Sequence, residues 1–204
     1  MAGLVLTPPA TTAEPRPMPS KPPTLVIVPG HGNSGPEHWQ TKLEQAHPDA
    51  VRVRQRHWNA PIRRQWVAGL ERAMRDVEGR AVLVGHSAGV STIVAWAHRA
   101  PHAARVAGAI LVAPPDMEAK LPGYPPRWAF RLAGWAPIPM RPLPFRSIVV
   151  ASENDPFCSP ARARAFAHAW GSAFIDIGRA GHINTAAGFG DWPLIRQLVD
   201  EISA

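Results

Sequence analysis

The chain has 204 residues, of which 46% are apolar and 18% are charged, and this composition excludes disorder of the whole chain and suffices for one domain with a sizeable core. No apolar run approaches the roughly 18 residues of a membrane span, and one cysteine, Cys158, excludes internal disulfides and favours a cytoplasmic location. The net charge of +7 raises the question of nucleic-acid binding, but the basic residues are scattered without a long run, so we predict no nucleic-acid partner.

Prolines mark two stretches that differ from the rest of the chain. Seven of the 24 prolines lie in residues 1–23 and nine lie in residues 114–144. The first stretch carries no signal-peptide pattern, so we predict a disordered tail at 1–22 and a domain at 23–204. The second lies inside that domain and predicts a lid-like insertion at about 114–145.

Within the predicted domain, short apolar runs alternate with helical patterns. The predicted strands cover residues 25–28, 51–55, 81–85, 107–113, 147–151 and 173–177. The predicted helices cover residues 34–47, 62–77, 87–99 and 160–170, with a last helix from about 192. Ser34 and Glu37 predict a capping box at the first helix, and Arg52 and Arg54 predict an edge strand because they need water. This alternation predicts an α/β fold with six mostly parallel strands and helices on both faces.

Residues 85–89, Gly-His-Ser-Ala-Gly, have the G-x-S-x-G pattern of a nucleophile elbow. A strand that turns sharply into a helix projects the serine hydroxyl above the sheet, and glycines avoid clashes in that turn. The pattern alone occurs by chance in roughly one such chain in fifteen, but here it also lies between a predicted strand and a predicted helix. We therefore predict that Ser87 is a nucleophile in a single-domain α/β-hydrolase fold, with an ordinary strand–helix turn as the alternative.

A serine nucleophile requires a general base and an acid that orients the base. His182 follows the last predicted strand, so we expect it at the same edge of the sheet as Ser87. Asp155 follows the strand at 147–151, and the order serine, acid, histidine is the order of this fold. Glu153 and Asp116 are alternative acids because each also follows a predicted strand.

Two backbone N–H groups are predicted to hold the oxyanion. One belongs to Ala88, the residue after the nucleophile, and the other to His31, in the Pro-Gly-His-Gly-Asn loop at 29–33. That loop has a simpler explanation as a tight glycine turn. The remaining histidines form no metal-binding motif, so we predict neither a metal nor a cofactor.

Aromatic residues predict a substrate pocket near Ser87. Trp128 and Trp135 of the insertion, with Phe157 after the predicted acid, are the candidates to line it. Two alternatives are open for the insertion: its aromatic residues cover the edge of the sheet, or Arg127 and Arg131 lie on a membrane-surface helix.

Several segments together resemble a known family. They are Val28 to Gly35 with its Pro-Gly and Gly-Asn-Ser-Gly, His38-Trp39-Gln40, the elbow at 85–89, Ser152 to Phe157, and Gly181-His182-Ile183-Asn184. In these the chain resembles the small YdeN-like α/β-hydrolases, bacterial relatives of the retinoblastoma-binding-protein-nine type of serine hydrolase. The resemblance covers about residues 24–202.

The resemblance implies a compact α/β-hydrolase core with a small lid and a triad of Ser87, Asp155 and His182. It also implies hydrolysis of small carboxylic esters or related acyl compounds, so the expected partner is a small-molecule acyl substrate. An acyltransferase or amidase could use the same triad, and a binding module with little turnover could keep the same fold. The sequence predicts no oligomeric state.

Overall fold

The computed structural model describes residues 22–204, so the tail predicted at 1–22 lies almost wholly outside the described residues. The described chain forms one sheet of six parallel strands in the order β2-β1-β3-β4-β5-β6. The strands are β1 (Thr24–Val28), β2 (Val51–Arg52), β3 (Ala81–His86), β4 (Val106–Val112), β5 (Ser147–Ala151) and β6 (Ala173–Asp176). The predicted fold class is therefore confirmed.

Helices cover both faces of the sheet. They are α1 (Trp39–Gln45), α2 (Arg63–Asp76), α3 (Ala88–Ala97), α4 (Arg127–Leu132), α5 (Pro160–Trp170) and α6 (Pro193–Ser203). Successive strand residues point to opposite faces. In β1, Val26 and Val28 pack in the core beneath α2, α3 and α5, whereas Leu25 and Ile27 pack beneath α1 and α6. Both faces of the strands are apolar for that reason.

The region around the first helix differs in two details from the prediction. The helix begins at Trp39 rather than Ser34, because His38 takes the N-cap position and its Nδ1 accepts the Gln40 N–H. Strand β2 lies at the edge, as predicted, but it is only two residues long. The Arg52 Nε donates to Glu44 Oε2 of α1 at 2.6 Å, so its side chain is paired with a carboxylate instead of being hydrated alone.

The predicted insertion is irregular except for the short helix α4. Phe130 and Trp135 are buried against the core, whereas Trp128 and Leu132 are 64% and 80% exposed. Phe130 and Trp135 therefore attach the insertion to the core, whereas Trp128 and Leu132 do not. Among residues 22–204, no helix is both long and apolar enough to cross a bilayer.

The sheet order places a crevice above β1 and β3. The chain passes from β1 to β2 on one side of β1 and returns to β3 on the other side. Open α/β sheets bind ligands at such a switch, outside the carboxyl ends of the strands. The loop after β1 and the turn after β3 both border this crevice.

Candidate active site

Ser87 lies in a sharp turn between β3 and α3. Its φ of 53° and ψ of −124° form a sparsely populated conformation that costs about 1–3 kcal/mol in a non-glycine residue. The Ser87 N–H donates to the Val112 carbonyl at 3.0 Å. A Cβ on Gly89 would lie 2.0 Å from the Val28 carbonyl oxygen, so only glycine lets α3 begin this close to β1.

A hydrogen-bonded chain joins the three predicted triad residues. The Ser87 Oγ lies 2.9 Å from His182 Nε2, and His182 Nδ1 lies 2.9 Å from each carboxylate oxygen of Asp155. The side chains of His182 and Asp155 are 9% and 3% exposed. This geometry lets a proton leave the serine hydroxyl for an imidazole that is oriented by a carboxylate.

The two alternative acids lie elsewhere. Asp116 forms an ion pair with Arg162, with 3.3 Å between Oδ2 and Nε. Glu153 is exposed on the surface of the loop after β5. The structure therefore brings Asp155, and neither of its rivals, to the imidazole.

The loop after β1 packs directly against the elbow. A Cβ on Gly30 would lie 2.9 Å from the Ser87 Cβ and 3.4 Å from the Ala88 nitrogen, so glycine permits this contact. Within the described residues, the N–H groups of His31 and Ala88 donate to no protein acceptor. The His31 ring lies 3.3 Å from the Asn59 carbonyl oxygen and packs edge-on against Tyr124. The two predicted oxyanion N–H groups therefore have no protein acceptor within residues 22–204, and their role stays a prediction.

The loop that carries His182 is tied to the loop that carries Asp155. Ser152 Oγ accepts the Ala180 N–H at 2.9 Å, and Asn154 Oδ1 accepts the Gly181 N–H at 2.8 Å. These bonds fix the distance between the imidazole and the carboxylate. Sequence reasoning missed this role, although both residues belong to the Ser152 to Phe157 segment that it singled out.

The other side of the histidine loop is held by the elbow and by α1. The His86 ring Nε2 lies 2.9 Å from the His182 carbonyl oxygen, and the Trp39 indole N–H donates to the Ile183 carbonyl at 2.8 Å. Ile183 has a φ of 49° and is fully buried. The bond of His86 could not be predicted, because one sequence does not show which carbonyl a buried ring meets.

Two buried histidines near the triad are held in the neutral form. Burial is the largest cause that lowers the pKa of His38 to about 4, and charge repulsion from Arg52 and His182 contributes to the same shift. Burial also lowers the pKa of His86 well below its usual range, despite the bond to the His182 carbonyl. Neither ring therefore places a cation beside Ser87 at neutral pH.

Two cavities meet at Ser87. The polar cavity, about 310 Å³, is lined chiefly by Asn33, His38, His86, His182, Asn184 and Thr185. The apolar cavity, about 20 Å³, is lined chiefly by Pro61, Ala88, Pro115, Met117, Leu121 and Phe130. Phe157, the third of the residues predicted to line a pocket, borders both cavities.

The two predicted tryptophans do not line the space around Ser87. Trp128 is on the outer side of α4 and lines a separate open cavity with Arg131. The Trp135 indole packs edge-on against Trp66 and donates to the Pro61 carbonyl. The insertion reaches the apolar cavity through other residues, of which Phe130 is the buried residue of α4: Pro115, Met117, Leu121, Tyr124 and Phe130.

Comparisons with known proteins agree with this fold. The sequence profile of the serine hydrolase family matches residues 25–201. The crystal structure of a YdeN-like hydrolase from Pectobacterium atrosepticum shares 33% identity and a TM-score of 0.78, over 89% of this chain and 91% of that chain. No curated protein matches the chain.

More distant structures share the fold alone. The ydeN gene product of B. subtilis has 17% identity and a TM-score of 0.69, over 88% of this chain and 98% of that chain. Esterase 2 of Thermogutta terrifontis has 17% identity and a TM-score of 0.61, over 89% of this chain and 81% of that chain. The fold is thus that of the α/β-hydrolases. The chain belongs to the serine hydrolase family, and its resemblance to the YdeN-like hydrolases is confirmed.

Proposed function

We propose that this protein hydrolyses small carboxylic esters through an acyl-enzyme formed on Ser87. The observation that carries the proposal is the chain of 2.9 Å contacts from Ser87 through His182 to Asp155. Membership of the serine hydrolase family and the esterase fold neighbour support the reaction class. The single cysteine, Cys158, supports a reducing cytoplasm as its location.

Acylation begins when His182 Nε2 takes the proton of the Ser87 hydroxyl and Oγ attacks the ester carbonyl carbon. The carbonyl oxygen becomes an oxyanion, which the N–H groups of Ala88 and His31 bind. His182 then donates its proton to the departing alcohol oxygen as the C–O bond breaks. Asp155 holds the imidazole in one orientation and stabilises its charged form.

Deacylation repeats these steps with water in place of the serine. His182 takes a proton from water, the resulting hydroxide attacks the acyl carbonyl, and the same N–H groups bind the second oxyanion. The proton then returns to the Ser87 oxygen as the carboxylic acid leaves. The proposed reaction uses protein groups and water alone.

Labelling with a small alkyl fluorophosphonate tests the nucleophile. We expect the folded wild type to be labelled at Ser87, as identified by mass spectrometry of its peptides, and Ser87→Ala to remain unlabelled. Ser91→Ala is the matched control, because Ser91 lies one turn further along α3 and lines a different cavity. Folded wild type without label at Ser87 would overturn the proposal and favour a binding module with this fold.

A further inference from the structure

The two cavities at Ser87 divide the substrate between them. In the proposed reaction His182 protonates the leaving oxygen, so the alcohol must lie on the His182 side of the carbonyl. The polar cavity includes His182, whereas the residues that line the apolar cavity include Ala88 and not His182. The alcohol therefore belongs in the polar cavity and the acyl chain in the apolar one.

The apolar cavity admits only a short chain. Its volume is about 20 Å³, and a cavity needs roughly 10–15 Å³ by this measure to hold a water molecule. By this measure the space holds about one or two carbon atoms beyond the carbonyl. Met117, Leu121 and Phe130 line this cavity and are only 3%, 5% and 8% exposed, so a longer chain must displace packed core residues.

The polar cavity fits a neutral alcohol that carries oxygen atoms. No lysine, arginine or carboxylate is among the described residues that line it, and its His38 ring is neutral at neutral pH. Asn33 Oδ1 accepts from Arg52, and Asn184 Oδ1 accepts the Ala187 N–H. Within residues 22–204, neither amide NH₂ donates to a protein acceptor, so both are available as donors to hydroxyl or ether oxygens.

We propose that the substrate is an acetyl or propionyl ester of a neutral, hydroxyl-bearing alcohol such as a sugar or glycerol. This inference rests on the proposed function, because it uses His182 to decide which cavity holds the alcohol. It goes further by assigning each half of the ester to a cavity and by limiting the length of the acyl chain.

A series of 4-nitrophenyl esters from acetate to octanoate tests the acyl half, with hydrolysis by Ser87→Ala subtracted. We expect kcat/KM to fall at least tenfold from propionate to hexanoate. Leu121→Ala and Met117→Ala each enlarge the apolar cavity, so either variant should raise the hexanoate to acetate ratio at least tenfold. Trp128→Ala is the control, because that side chain lies outside this cavity, and its ratio should match the wild type.

Acetyl esters of different alcohols test the other half. We expect monoacetylated glucose or glycerol to be hydrolysed with at least tenfold higher kcat/KM than octyl acetate. Asn33→Asp retains an oxygen for Arg52 and tolerates the φ of 65° at this position, but it removes the NH₂ donor. Its preference for acetylated glucose over 4-nitrophenyl acetate should fall about three- to tenfold.

The outcomes separate this inference from the proposed function. Wild type that is labelled at Ser87 but hydrolyses octanoate as fast as acetate would overturn the short-chain assignment and leave the nucleophile intact. Labelled wild type that prefers octyl acetate to acetylated glucose would overturn the assignment of the alcohol. Absence of labelling would remove the basis of both proposals.

Discussion

Ser87 occupies a backbone conformation that its neighbours impose. A φ of 53° is unfavourable for serine, yet the bond from its N–H to the Val112 carbonyl and the approach of Gly89 to Val28 define the turn on both sides. The hydroxyl consequently points to His182 at 2.9 Å. The elbow was recognisable in the sequence because this close packing requires glycines at fixed spacing.

Replacing Asp155 separates its role from that of its rivals. Asp155→Asn should reduce kcat about 10⁴-fold, because an amide in this position favours the wrong tautomer of the imidazole. Steady-state hydrolysis of 4-nitrophenyl acetate measures the loss. Asp116→Asn and Glu153→Gln are the controls, and we expect less than a tenfold change in each, since Asp116 pairs with Arg162 and Glu153 is exposed. A larger loss in either control than in Asp155→Asn would contradict the assignment of the acid.

At the scale of elements, one buried amide joins the two strands that border the site. Gln40 of α1 is fully buried, and its Nε2 donates to the carbonyls of Val28 and Val84 at 3.3 and 3.0 Å. Its Oε1 accepts from the Ser34 hydroxyl at 2.7 Å. Gln40 thereby ties the end of β1, before the His31 loop, to β3, before Ser87.

Removing that amide should loosen both strand ends. Gln40→Met keeps the length of the side chain but leaves carbonyl groups without their donor, so we expect the free energy of unfolding to fall by about 1–3 kcal/mol. The kcat/KM should fall as well, because the His31 N–H loses its fixed position. Urea unfolding and ester hydrolysis measure the two effects. Gln45→Met, at the exposed end of the same helix, should change stability by less than about 0.5 kcal/mol, and equal effects at both positions would refute this role.

Regular elements were predictable from the sequence to the extent that their own residues determine them. The strands β3 and β5 and the helix α5 match their predicted positions within one residue. A continuous apolar run predicts a strand that is buried on both faces, and a helical period predicts a helix, so each can be recognised from its own residues. The predicted start of the first helix was wrong, because the Ser34 hydroxyl bonds to the Gln40 side chain instead of capping the helix. The sequence also could not predict which aromatic residues of the insertion face inward, because whether Trp128 or Phe130 is buried depends on tertiary packing.

The candidate site was predictable to a similar degree. Ser87, Asp155 and His182 follow strands of one parallel sheet, so the sequence could place them at one edge, and the structure brings them into hydrogen-bond contact. Their catalytic roles stay predictions. The supporting bonds of Ser152 and Asn154 could not be predicted, because they join two loops whose relative position only the folded sheet defines.

At the scale of the whole molecule, the crevice that holds the site also buries uncharged histidines. His38 and His86 are 6% and 5% exposed, and their rings lie 4.9 Å apart, with His86 another 5.0 Å from the ring of His182. The unfolded chain exposes both rings, which then titrate near pH 6.5. These two side chains therefore bind protons more weakly in the folded protein than in the unfolded chain.

The sign of the resulting pH dependence follows from the lowered pKa values. Below about pH 6.5 the unfolded chain binds protons that the folded protein excludes, so the free energy of unfolding falls as the pH falls. For His38 this loss continues down to its folded pKa of about 4, and above about pH 6.5 the contribution is fully present. Asn is a strong helix N-cap and does not titrate, so His38→Asn should preserve the start of α1 and remove this sensitivity. Urea unfolding at pH 7 and pH 5 should show that the wild type loses about 1–2 kcal/mol more than the variant, and an equal loss in both proteins would show that His38 is not held neutral by the fold.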